Sequence, residues 1–181
     1  MSKLVIEPTQ TAQWQHLVVE AAQDSHININ PEMESYLVYL LMRFLKDQGL
    51  GHMMLGLKYL QIHTANSPSK YDHLRDVADH CLLLSGLYPQ IAEKRNVNLS
   101  YFVNLGRTAY LDLSESIHHA GASLYREVSN AFIQLMDILL TIRSYTSTPV
   151  LKPIQAFDLW NETGSLVAQS SIHLVEHSQR H

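Results

Sequence analysis

Apolar residues recur along this chain at helical spacing almost from end to end, and strand-like alternation is confined to one short stretch. In "TQTAQWQHLVVEAAQDS" (9–25), Trp14, Leu17, Val18 and Ala21 make a single stripe at steps of three, one and three. The next helix opens at "NPEMES", with Asn30 as cap, Pro31 in the first turn, and Glu32 and Glu34 near the positive helix end. It is expected to run to about Lys46 and is apolar over most of its circumference. Tyr36, Leu37, Leu40, Leu41, Phe44 and Leu45 form one broad face, and Val38, Tyr39 and Met42 occupy other sides. A helix of this kind belongs at the centre of a bundle or in a subunit interface.

A third helix spans 50–64. "NSPSK" then breaks the chain and restarts it, with Ser67 as expected cap and Pro68 in the first turn, and the fourth helix runs to about Ser85 before "SGLYP". A short helix or turn follows through "QIAEKRN". Residues 100–119 form a helix beginning near a Ser100 cap, "AGAS" interrupts, and 123–144 form another amphipathic helix. "TSTPVLKP" places a loop at 145–153. A last helix extends from Pro153 to about His177, with Gly164 as its weak point. The short segment "KLVIE" makes 1–8 an extended N-terminal piece. With no repeat, low-complexity tract or linker, residues 1–181 read as one all-α domain, a bundle of seven or eight helices.

Composition narrows the partners. A chain of 181 residues buries roughly 70% of its unfolded surface and needs no metal or disulfide to fold. The single cysteine, Cys81, cannot form an internal bridge, which suits a reducing compartment. Lying on the apolar side of its helix, it is expected to be an inert thiol. A net charge of −4, with thirteen Lys and Arg scattered among seventeen acids, gives no basic face for nucleic acid. The first ten residues lack a signal-peptide pattern, and no apolar run reaches the roughly 20 residues of a membrane span. The expectation is a cytoplasmic protein with neither nucleic-acid nor membrane partner.

The densest chemistry lies in "YDHLRDVADHC" (71–81). At about 100° per residue, Leu74, Val77, Ala78, Cys81, Leu84 and Ser85 gather on one side, and Asp72, His73, Asp76, Asp79 and His80 fall on the other. Carboxylate-bridged metal sites need their ligands turned inward with the apolar residues, so this row is expected to face solvent. A second fragment, "ESIHH", carries Glu115 and His118 at the Glu-x-x-His spacing of such sites, but a full di-metal bundle needs two such motifs plus two more glutamates. If the two polar faces met, Asp72, Asp76, His80, Glu115 and His118 would be the candidate ligands for a divalent metal or di-iron centre. Gly106, whose missing side chain permits close helix approach, precedes Arg107, and the expected structural role for the aspartates is an ion pair from Arg107 to Asp76 or Asp79. His173 and His177 share a face at the i, i+4 spacing, and six tyrosines (36, 39, 59, 88, 101 and 110) offer hydroxyls to a pocket or interface.

The segments "LRDVADHCLLLSGLYP" (74–89), "VNLSYFVNLGRTAYLDLS" (97–114) and "ESYLVYLLMRFL" (34–45) resemble a family of small bacterial proteins known only as uncharacterised hypothetical proteins. The resemblance covers roughly residues 5–115, implies a bacterial cytoplasmic protein, and carries no activity, cofactor or catalytic residue. Three functional readings follow, in order of preference. The first is a non-enzymatic interaction or structural protein without cofactor, acting as a homodimer or with a protein partner. The second is a metal-dependent helical enzyme. The third is a small-ligand binder with a tyrosine- and methionine-lined cavity.

Overall fold

The computed structural model describes residues 9–44, 55–64, 68–118, 120–146 and 150–178, with backbone only for 175–178. The described residues form ten α-helices and no strand. They are α1 (Gln10–Asp24), α2 (Pro31–Phe44), α3 (Leu55–Thr64), α4 (Lys70–Leu87), α5 (Pro89–Lys94), α6 (Leu99–Ser116), α7 (Gly121–Asn130), α8 (Phe132–Ser144), α9 (Pro153–Thr163) and α10 (Leu166–Ser178). The all-helical expectation holds. The expected extended piece at 1–8 and the Ser67 cap fall outside the described residues, as do the ends of two expected helices at 45–46 and 50–54.

The count exceeds seven or eight because two expected helices are each two. Gly164 adopts φ +74°, and its N–H bonds the Trp160 carbonyl at 2.8 Å, which closes α9 with a left-handed cap. The chain cannot continue helically through that residue, and Ser165 starts α10 by accepting from the Ala168 N–H at 3.1 Å. The second division falls at Ala131 (φ −88°, ψ 3°), so that α7 lies on α6 while α8 turns to pack on α4. Two starts also move. The fourth helix begins at Lys70 after Ser69, and the sixth at Leu99 after Asn98 rather than at a Ser100 cap. Asn30 caps α2 as expected, its side chain accepting from the Met33 N–H at 2.9 Å.

The described helices pack around α4, which touches α3, α5, α6 and α8. Every residue from Val77 to Gly86 is buried, so its second half has no solvent side. Helix α6 lies alongside, and Gly106 sets their approach: a Cβ there would stand 2.6 Å from Phe132 Cε2 and 2.8 Å from Cys81 Cβ. Cys81 is fully buried, and burial pushes its thiol well above the ordinary range, the environment of an unreactive cysteine. The broad apolar girdle of α2 is covered within the chain, with Met33, Tyr36, Leu37, Val38, Leu40, Leu41 and Phe44 buried and Tyr39 exposed. Its apolarity therefore reflects a core position. The paired α9 and α10 pack over α6 and α8, α9 on α6 and α10 on α8.

Candidate functional site

The aspartate row of α4 does not face solvent throughout. Asp79 is 0% exposed and His80 is buried beside it, a correction to the expected outward face. A helical wheel locates the apolar stripe of one helix. It does not register that other helices close over the opposite side, as α2 and α6 do here. A buried carboxylate must then find donors.

Asp79 finds them on both neighbours. Its Oδ1 accepts from the Tyr36 hydroxyl of α2 and, at 2.6 Å, from the Tyr110 hydroxyl of α6. Its Oδ2 accepts from Arg43 Nη1 at 2.8 Å, and Arg43 Nη2 pairs with Asp76 one turn earlier. The Arg43 guanidinium also lies 5.0 Å over the Phe44 ring, and Phe44 packs edge-on against His80 at 4.6 Å. His80 Nδ1 lies 2.6 Å from the Asp76 carbonyl, which fixes that nitrogen as the protonated one. Tyr125 of α7 stacks on Tyr110 at 6.4 Å and meets Tyr36 edge-on. One carboxylate thus joins α2, α4 and α6, with α7 stacked against it.

Burial raises the Asp79 carboxyl to about 6, against the opposing pull of Tyr110, Tyr36, Arg43 and Arg75. Burial first, and then the charge of Asp79, push Tyr36 and Tyr110 far above the ordinary tyrosine value, so both remain hydrogen-bond donors. The expected Arg107 pairing is corrected as well. Arg107 is exposed, and the arginine that holds Asp76 and Asp79 is Arg43. The signal for it was present in the sequence: a lone charge in "YLVYLLMRFL" requires an opposite charge wherever that helix is buried.

The five candidate metal ligands are not brought to one point. Asp76 is held by Arg43, His80 lies under Phe44, and Glu115 is exposed at the end of α6. Asp72 and His118 line a common pocket, where Asp72 sits 3.4 Å from Arg75. Among the described residues, no group of three or more His, Cys, Asp and Glu stands close enough to hold a metal ion. The His173–His177 pair is left with one described side chain. A further cluster joins α3 to α6, with Tyr59 and, at 3.2 Å, His63 both on Asp112.

A second buried carboxylate, Asp137 of α8, accepts from the Ser165 hydroxyl and from the Leu166 N–H at 3.1 Å. It serves as a cap for α10 donated by another helix. Burial raises it to about 6 against these hydrogen bonds.

Comparisons with protein-family models, curated proteins and solved structures find no match. No described helix is long and apolar enough to cross a membrane.

Proposed function

We propose that the protein is a non-enzymatic helical interaction protein that acts as a homodimer, with the outward face of α9 as the contact. One observation carries the reading. Ile154, Phe157 and Trp160 project from α9 at 77%, 52% and 37% exposure, spaced three apart, while Ala156 and Leu159 on its other side are buried. A helix with apolar residues on both sides has one side too many for a monomer.

The stripe is self-complementary. A two-fold axis through Phe157 lays Ile154 against the partner's Trp160. An isologous dimer requires this reciprocity. The commitment of Asp76 and Asp79 to Arg43, Tyr36 and Tyr110 supports the non-enzymatic part of the reading, because these carboxylates are engaged in tying helices together.

Sedimentation velocity across a concentration series tests the proposal. The wild-type chain is expected to sediment with the mass of two chains at tens of micromolar, and Phe157→Glu with the mass of one at unchanged thermal stability. A wild-type chain that stays monomeric over that range contradicts it.

A further inference from the structure

The two arginines of the α4 region are used in opposite ways. Both terminal nitrogens of Arg43 are held by buried or half-buried carboxylates. Arg75 is half-buried and has as its carboxylate contact the exposed Asp72 at 3.4 Å. An ion pair with a partner that exposed is weak, so a competing anion can displace Asp72 at little cost.

Arg75 also lines a cavity. A cleft of about 470 Å3 lies between the start of α4, the end of α6 and the start of α7, within the size range of small-molecule sites. Leu113, Ile117 and Leu124 give it an apolar wall, and Arg75, Asp72 and His118 supply charged or chargeable groups. Two of the expected metal ligands are here, but a guanidinium 3.4 Å from Asp72 opposes a cation, and two ligands do not make a site. An apolar wall facing an arginine whose carboxylate is easily displaced suits a molecule that carries both a hydrocarbon body and an anionic head.

We propose that this cleft binds a small organic carboxylate, with its carboxylate on Arg75 and its hydrocarbon against Leu113, Ile117 and Leu124. A bidentate hydrogen-bonded pair replaces the long Asp72 contact, and His118 at the rim adds favourable charge when protonated.

Titration of the full chain with octanoate and with 3-phenylpropionate, followed by methyl NMR of Leu113, Ile117 and Leu124, tests this. Saturable shifts at millimolar concentration are expected. The dissociation constant should rise about tenfold or more in Arg75→Gln and several-fold in His118→Asp. Octan-1-ol and zinc chloride are the controls. Because His118 is exposed, His118→Asp leaves the fold intact and decides the matter if Arg75→Gln does not fold. It adds a negative charge against a carboxylate while keeping a metal ligand. The absence of saturable shifts, shifts reproduced by octanol, or binding equal to wild type in His118→Asp would each overturn the proposal. So would zinc that shifts the same methyls and needs Asp72 and His118.

Discussion

Asp79 and Asp137 are both buried aspartates raised by burial to about 6, yet their surroundings answer the same problem differently. Asp79 is met by side chains from distant parts of the chain: Tyr36 and Arg43 on α2, and Tyr110 on α6. Asp137 is met by the start of one helix, through the Ser165 hydroxyl and the Leu166 N–H, where the helix dipole favours a negative charge. One carboxylate organises three helices and the other caps one. The difference teaches that two carboxyls with the same raised proton affinity differ in structural consequence through how many elements supply their partners.

Removing each carboxylate should separate them most strongly. Asp79→Ala leaves the Tyr36 and Tyr110 hydroxyls without their carboxylate and Arg43 half-satisfied, and is expected to cost about 3–5 kcal/mol in urea unfolding. Asp137→Ala leaves Ser165 in place as the cap of α10 and should cost about 1–2 kcal/mol. Equal losses would erase the distinction.

In pH dependence the two aspartates should behave alike. Each carboxyl holds its proton more tightly in the folded protein than at its ordinary value of 3.8. Their contribution to stability is therefore full below about pH 4, is lost as pH rises toward about 6, and is level above. The total change is about 3 kcal/mol for each group. Urea unfolding at several pH values should show this fall in the wild type and about half of it in either alanine variant. Stability that rises from pH 4 to 6 because of these groups would contradict the assignment.

Two glycines sharpen the contrast at smaller cost. Gly106→Ala drives a methyl group into Phe132 and Cys81 beside the Tyr110 helix, and should lose about 1–3 kcal/mol. Gly164→Ala has open space around its Cβ but a positive φ, and should lose about 1 kcal/mol, loosening the Ser165 cap under Asp137. Thermal unfolding of both variants checks the order.

The helical class, the Asn30 start of α2, the core stripe of α4 and the close approach at Gly106 were legible in the sequence, because each is a local signal. The division at Gly164 was half legible: the residue stood out as a weak point, but only its left-handed φ shows that the chain turns there. The division at Ala131 had no sequence marker. The burial of Asp79 and His80 was hidden because it belongs to α4's central position and not to its own periodicity. Arg43 could have pointed to Asp79, since an isolated charge on a girdled apolar helix requires a counter-charge. Arg107 was preferred because Gly106 suggested helix contact there. The contact exists, and Arg107 points away from it into solvent.

The most direct test of the account is a carbon-13 NMR titration of the Asp79 carboxyl, with and without added zinc. A carboxyl enclosed by Tyr36, Tyr110 and Arg43 should titrate in the intact protein with a midpoint of about 6, unmoved by the metal. An ordinary midpoint near 3.8, or a displacement when zinc is added, would show that Asp79 is open to solvent or to ligand and would contradict its role as a closed tie between helices.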